Sequence, residues 1–295
     1  MVATKRVQFS HSPIPYLFIV PQLAIIAVFF FWPALQALYL SFMLEDPWGL
    51  SSQFVGFENY VELFSSSEYL STFAFTLLYS SIVTVFSLGV ALVLAVKANA
   101  ILRGQSTYQL LLTWVYAIAP AAAGIMAYFI FNRNIGVVPE FLNSFGWDFR
   151  PDTNSFDATA MVILVSVWKQ VPVNFVFFLA GLNSISKSVR EAAQMDCESD
   201  SRRFWTITFP LLAPTAFFLL VINITYAFFE TFGLIDTLTQ GRPGGSTTTL
   251  VYKVYQDGFI GADLGLSSAQ SVVLMLLVLL LTFVQFKFIE RKVHY

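Results

Sequence analysis

The stretch EAAQMDCESDSRRFWTITFPLLAP, which runs from Glu191 to Pro214, decides the fold. It is the most charged run of the chain and lies between two long apolar segments. The whole chain has 295 residues, of which 57% are hydrophobic and only 12% are charged. A soluble domain carries about 25% charged residues, so the outer surface of this protein needs lipid around it. We therefore predict an all-α integral membrane protein in which the charged stretch is a loop at the membrane surface.

Six segments are long and apolar enough to cross a bilayer, which takes about 20 residues of helix. They form one transmembrane domain over residues 1–295. The first segment is long for a signal sequence and no small-residue cleavage site follows it, so we expect it to be retained. The predicted spans are residues 16–42, 71–96, 108–131, 160–182, 213–235 and 267–288.

The distribution of basic residues predicts the orientation, because cytoplasmic loops of membrane proteins carry an excess of Lys and Arg. Of the 16 basic residues, 11 lie in the tails, between spans two and three, or between spans four and five. The first loop on the opposite side carries five acidic residues and no basic one. Both termini and the 191–214 stretch are therefore expected in the cytoplasm.

The composition excludes several other kinds of site. A net charge of −2 gives no indication of a nucleic-acid partner. Cys197 is the single cysteine, and the two histidines, His11 and His294, lie in the tails, so we expect no disulfide and no metal site. The chain has no G-x-x-x-x-G-K motif for binding ATP, and no cluster of residues indicates catalysis.

The charged stretch has the pattern of two short helices. Ser188 precedes Glu191 by three residues, which is the spacing of a capping box. Residues 198–201 offer a cap for a second helix over 202–209, which Pro210 is expected to end. Taken alone, the residues fit equally well a solvated loop that carries the cytoplasmic positive charges.

The pattern E-A-A-x-x-D, followed by F and P-L, resembles the EAA motif of ABC-importer permeases. The resemblance implies a coupling helix, within a coupling loop at about 186–212, that docks into a cleft of an ATPase subunit. Gly-Ala usually follows the Asp of the motif, whereas this chain has Cys197 and Glu198. A glycine readily takes a positive φ and a cysteine does so only at a cost, which leaves the geometry of this turn open. The residues that the motif assigns to ATPase coupling are Glu191, Ala192, Ala193, Asp196, Cys197 and Pro210.

The resemblance extends along nearly the whole chain. IPYLFIVPQL, SVWKQVPVNFVFFLAGLNSI and TYAFFETFGLIDTLTQGRPG are similar to stretches of the permeases of sn-glycerol-3-phosphate importers, in the carbohydrate-uptake class that includes the maltose permease. The resemblance implies a type I (MetI-like) fold in the bacterial inner membrane and ATP-driven import of sn-glycerol-3-phosphate and glycerophosphodiesters. It also implies as partners a second permease subunit, two ATP-binding subunits that hold the ATP and Mg, and a periplasmic substrate-binding protein.

Ionisable residues inside a span are candidates for a functional site. Lys169 lies in span four and Glu230 in span five, and we expect them to form an ion pair when no substrate is bound. Pro172 is expected to bend or break span four. By resemblance to the maltose class, with Asn174 and Glu230 added for their chemistry, the candidate substrate-binding residues are Lys169, Gln170, Val173, Asn174, Phe228, Glu230 and Thr231.

Other functions remain open at this point. Lys169 can serve only to neutralise Glu230, and the cargo can be a neutral sugar or oligosaccharide, against which the charge of Lys169 argues mildly. A secondary transporter driven by an ion gradient is a further alternative. A membrane enzyme such as a lipid phosphotransferase has no supporting cluster of His, Asp or Cys.

Overall fold

The computed structural model describes residues 14–46, 51–100 and 105–288. These residues form a helical membrane protein with one short β-hairpin. Five helices are long and apolar enough to cross a membrane, and a pair of helices bent by 103° makes a sixth span if the pair is counted as one. The all-α membrane fold predicted from the composition is confirmed.

The first span stands at the edge of the bundle. It consists of α1 (Ile14–Ile26), a π-helical turn (Ala27–Phe31) and α2 (Trp32–Leu40). A hairpin of β1 (Met43–Glu45) and β2 (Ser52–Phe54) follows, with Leu44 opposite Gln53. The hairpin is tied to α3 (Glu58–Ser65), because the buried amide of Asn59 donates hydrogen bonds to the carbonyls of Ser41 and Met43, both at 2.9 Å.

The second and third spans differ in continuity. The second is a single helix, α4 (Ser67–Ala100), which extends beyond the predicted range at both ends. The third consists of α5 (Gln105–Thr113), a 3₁₀ turn (Trp114–Ala117) and α6 (Pro120–Phe131), so the expected continuous helix is wrong. Ile118 and Ala119 are extended, with ψ of 124° and 145°. The ring of Pro120 disfavours the helical conformation for the residue before it, which explains the break.

The fourth span is the most central helix of the bundle. After α7 (Val137–Ser144), α8 (Ser155–Ser184) begins at the cap Asn154, whose side chain accepts hydrogen bonds from the amides of Phe156 and Asp157. The helix does not break at Pro172, so that part of the expectation is wrong. Neighbouring helices can compensate for the lost hydrogen bond of a proline inside a membrane, and α8 packs most extensively against α4.

The charged stretch and the fifth span are joined. After α9 (Lys187–Asp196), a continuous helix runs from Asp200 to Glu230. It comprises α10 (Asp200–Arg203), α11 (Phe209–Thr225) and two π-helical turns, Phe204–Thr208 and Tyr226–Glu230. The remaining elements are α12 (Phe232–Leu238), α13 (Leu250–Tyr255), a π-helical turn (Gln256–Ile260) and α14 (Leu264–Phe288).

A cluster of three hydrogen-bonded polar side chains lies in the apolar core between α4, α8 and α11. The amides of Asn174 and Asn223 bond reciprocally at 2.9 and 2.7 Å, and the hydroxyl of Ser87 donates to Asn223 at 2.9 Å. All three residues are fully buried. Since each of these side chains has a hydrogen-bond partner, the polar cluster fixes the register of the three helices without leaving an unpaired group in the core.

Candidate functional site

A cavity of about 610 Å³ lies beside the break in the third span. Its walls are the break between the two halves of that span, the middle of α8, and the last turns of the fifth span. A volume of this size is typical of small-molecule sites, which range from about 300 to 1,000 Å³. The cavity lies beside the point where the helix of the third span is interrupted, between Ala117 and Pro120.

Lys169 contributes the cationic group of this cavity. Its ammonium donates hydrogen bonds to the carbonyls of Val115 (3.1 Å) and Tyr116 (3.0 Å) and lies 5.6 Å from the centre of the Tyr116 ring. These carbonyls belong to the 3₁₀ turn at the break of the third span, and that of Val115 also accepts a hydrogen bond from the amide of Ile118 at 3.2 Å. Only 5% of Lys169 is exposed, so the broken span holds the ammonium at a fixed place on the wall.

Lys169 and Glu230 line the same cavity, but no ion pair joins them in the described residues. The expected pairing is therefore wrong. The reason is the break in the third span, which the sequence analysis did not predict. Beside this break, the ammonium of Lys169 donates to two backbone carbonyls. Glu230 is an exposed carboxylate that lines the same cavity.

Two further predicted residues also line the cavity, Gln170 and Val173. With Lys169 and Glu230, they bring together a cation, an amide, an apolar patch and a carboxylate. Tyr226 and Thr225 of the fifth span complete the polar wall. This combination can bind a small ligand that carries both an anionic group and hydroxyl groups.

Three other predicted residues lie away from the cavity. Asn174 belongs to the buried polar cluster with Asn223. Phe228 is 1% exposed and packs in a core cluster with Leu63, Tyr69, Leu250 and Leu274. Thr231 is fully buried, and its hydroxyl donates to the carbonyl of Ala227 at 3.3 Å. All three side chains are buried in the protein interior and do not line the cavity.

Sequence reasoning missed the wall formed by Tyr116 to Pro120. These residues read as part of an uninterrupted apolar run. Pro120 was the available signal, because the residue before a proline avoids the helical conformation.

The second candidate site is the surface helix α9. Ser186 is its cap and accepts a hydrogen bond from the amide of Val189 at 3.4 Å, so the expected capping box at Ser188 and Glu191 is wrong. Glu191 instead pairs with Lys187 at 3.5 Å on the exposed face. The expected second cap is confirmed, since Ser199 accepts from the amide of Arg202 at 3.3 Å.

The two faces of α9 differ in exposure. Ala193 is buried and faces a cavity closed by the end of α4 and by the π-helical turn Phe204–Thr208. Glu191, Ala192 and Asp196 are exposed, and Met195 is 89% exposed. The small face predicted at Ala192 and Ala193 is therefore divided: Ala193 packs within this chain, whereas Ala192 remains available to another protein.

The turn after α9 is built without a positive φ. Cys197 is extended, with φ −116° and ψ 124°, a conformation that any residue adopts. Cysteine in place of glycine therefore causes no strain, and α9 ends at Asp196. Pro210 does not close the loop, as the motif suggested, because it lies within the continuous helix that begins at Asp200.

Comparison with known proteins identifies the family. Residues 141–295 match the profile of the family described as binding-protein-dependent transport system inner membrane component. The chain belongs to this family. It is accordingly a multi-pass permease component of an ABC importer in the inner membrane.

Relatives match this permease along its full length. A protein of Rhizobium meliloti (strain 1021) is 50% identical over 293 residues, which are 99% of each chain. A protein of Yersinia enterocolitica serotype O:8 / biotype 1B is 50% identical over 294 residues, or 100% of each chain. A protein of Brucella abortus biovar 1 is 49% identical over 293 residues, or 99% of each chain. Each is named sn-glycerol-3-phosphate transport system permease protein UgpA.

Solved structures share the fold of the permease. A chain of a bacterial ABC transporter involved in the import of the acidic polysaccharide alginate aligns with a TM-score of 0.78 and 22% identity, over 93% of this permease and 96% of that chain. A chain of the MetNI methionine ABC transporter aligns with a TM-score of 0.52 and 15% identity, over 80% and 99%. The predicted type I importer fold is thereby confirmed.

Proposed function

We propose that this permease moves sn-glycerol-3-phosphate, and glycerophosphodiesters as further cargo, from the periplasm to the cytoplasm by alternating access. The observation that carries the proposal is the chemistry of the transmembrane cavity. Lys169 offers a cation to the phosphate, while Gln170 and Glu230 offer an amide and a carboxylate to glycerol hydroxyls. The names of the full-length relatives support the same cargo.

The position of Lys169 supports a role in binding an anion. An ammonium group has three donors, and the carbonyls of Val115 and Tyr116 occupy two of them. The third donor and the full charge remain for a ligand. The carbonyls hold the ammonium in place before the cargo arrives, which reduces the entropy lost on binding.

The exposed face of α9 supports the coupling role. We assign Glu191, Ala192, Met195 and Asp196 to the surface that docks on an ATP-binding subunit, and the ATP and Mg to that subunit. The partners are a second permease subunit, two ATP-binding subunits and a periplasmic substrate-binding protein. This assembly places α9 and both termini in the cytoplasm, in agreement with the basic residues Lys187, Arg190, Arg202 and Arg203 around α9.

The test is uptake by the assembled importer in proteoliposomes. We expect ATP-dependent accumulation of radiolabelled sn-glycerol-3-phosphate, competition by unlabelled sn-glycerol-3-phosphate, and no competition by glycerol or maltose. Accumulation of a neutral sugar, with sn-glycerol-3-phosphate ignored, would establish the alternative in which the cargo is an uncharged sugar.

A further inference from the structure

Four basic side chains lie at the end of the described bundle opposite α9, and two of them are neutralised. Lys253 pairs with Glu68 at 2.8 Å and Asp257 at 2.9 Å. Burial lowers the pKa of Lys253, but the two carboxylates outweigh it and the pKa is raised. Arg150 pairs with Asp148, and this hydrogen bond lowers the pKa of the Asp148 carboxyl.

The other two, Arg133 and Arg242, form no ion pair within the described residues, and both line one cavity of about 540 Å³. Asp152 is the acidic residue on the same wall. Glu68 and Asp236 line a neighbouring cavity that also reaches Arg242, and neither is paired with it. The cavity of Arg133 and Arg242 therefore keeps an excess of one positive charge.

The backbone fixes both arginines at this cavity. On one side, the amide of Arg242 donates to the carbonyl of Thr239 at 3.0 Å, and its own carbonyl accepts from the hydroxyl of Thr247 at 3.0 Å. On the other side, Arg133 lies in a turn closed by the hydrogen bond from the amide of Gly136 to the carbonyl of Asn132, at 2.7 Å. The two guanidinium groups are thus presented from structured turns rather than from loose loops.

We propose that this cavity binds the phosphate group of an anionic ligand. Unpaired arginines are unexpected at the membrane face away from the cytoplasm, which is depleted of basic residues. A guanidinium group presents a planar fork of donors that matches the oxygens of a phosphate, and the two groups together leave one net positive charge beside Asp152. The side chains of Asn132, Asn134 and Gln240 add amide donors to the wall.

The inference rests on the proposed function for the orientation of the chain and for the choice of phosphate. Two sources offer this chemistry: the phosphate of the cargo on its way to Lys169, and the headgroup of an anionic lipid at the membrane surface. The cargo phosphate and the lipid headgroup would bind the same two arginines, so replacing both arginines tests the site. Changing the lipid composition then shows which of the two ligands binds.

The experiment measures the thermal unfolding of the assembled importer in phosphatidylcholine nanodiscs, with inorganic phosphate or with sodium chloride of equal ionic strength. A ligand that binds only the folded state raises the melting temperature. Every protein compared carries Lys169→Met, so that phosphate bound at Lys169 in the transmembrane cavity does not contribute. We expect phosphate to raise the melting temperature of this parent and not that of the variant that also has Arg133→Gln and Arg242→Gln. The control Arg150→Gln, whose arginine does not line the cavity, should keep the full rise.

Absence of the rise in the Lys169→Met parent, or its survival when both arginines are also replaced, would overturn the inference. Nanodiscs that contain phosphatidylglycerol then identify the source. If the anionic lipid abolishes the response to phosphate, a headgroup occupies the site; if the response persists, a soluble phosphate does. Because this measurement has no transport step, failure of the wild type to import sn-glycerol-3-phosphate would refute the proposed function and leave this result intact.

Discussion

At the scale of single residues, Lys169 decides between an anionic and a neutral cargo. Lys169→Met removes the charge, and a hydrogen bond to a charged group contributes about 1.5–3 kcal/mol. We therefore expect uptake of sn-glycerol-3-phosphate at limiting concentration to fall by about tenfold or more. Basal ATP hydrolysis should remain, because α9 is unchanged. Lys169→Arg keeps the charge and the donors to Val115 and Tyr116, and it should recover much of the uptake.

A second substitution tests whether Lys169 acts only as the counter-ion of Glu230. No ion pair joins the two residues in the structure, so Glu230→Gln in the Lys169→Met background should not restore transport. Wild-type uptake by that double variant would show that charge balance, and not cargo binding, is the role of Lys169.

Asn174 illustrates a different kind of residue, one buried for structure. Asn174→Ala leaves the amide of Asn223 without one partner, and an unpaired buried polar group costs about 1–3 kcal/mol. We expect a lower melting temperature of the solubilised complex with an unchanged KM for the cargo. Asn174→Ala combined with Asn223→Ala should lose less stability than the sum of the single changes, because the pair is removed together. A raised KM in the single variant would show that Asn174 takes part in binding the cargo, as the sequence analysis expected.

At the scale of helices, the sequence predicted the positions of the spans well and the breaks within them poorly. Apolar length locates a span: in the described residues, five predicted segments coincide with helices that are long and apolar enough to cross a membrane, and the other coincides with the bent pair. It does not show where the helical ladder opens, which depends on single residues: Pro120 breaks the third span, whereas Pro172 leaves α8 continuous. The expected pairing of Lys169 was wrong because its ammonium donates instead to two carbonyls beside this break, those of Val115 and Tyr116.

Two other prolines show how a helix accepts the ring without ending. A π-helical turn precedes both Pro33 and Pro210. In each, the amide just before the proline donates to the carbonyl five residues back: Trp32 to Ala27 and Phe209 to Phe204. The wider turn makes room near the carbonyl that the proline ring would otherwise meet. The helix therefore runs through Pro210 from the charged stretch into the membrane, so that α10 and the fifth span form one continuous helix.

The two faces of α9 allow a matched test of coupling. Met195→Asp changes a side chain that is 89% exposed, so the complex should assemble and keep its melting temperature. It should lose cargo-stimulated ATP hydrolysis and uptake, because an apolar contact with the ATP-binding subunit becomes a charge. Glu191→Lys on the same face is expected to behave alike. Ala193→Asp puts a charge on the buried face and should destabilise the permease itself. Normal coupling in Met195→Asp would remove this face from the docking surface.

At the scale of the whole molecule, the distribution of basic residues supports the proposed orientation, in which α9 faces the cytoplasm and α7 faces the periplasm. Cysteine accessibility tests it in a Cys197→Ser background, which removes the single native thiol. Ser144, at the end of α7, and Ser188, in α9, are both exposed and lie at opposite ends of α8. A membrane-impermeant maleimide added to spheroplasts should label Ser144→Cys at once and Ser188→Cys only after the membrane is permeabilised. The reverse order would invert the topology, and with it both the docking role of α9 and the periplasmic place of Arg133 and Arg242.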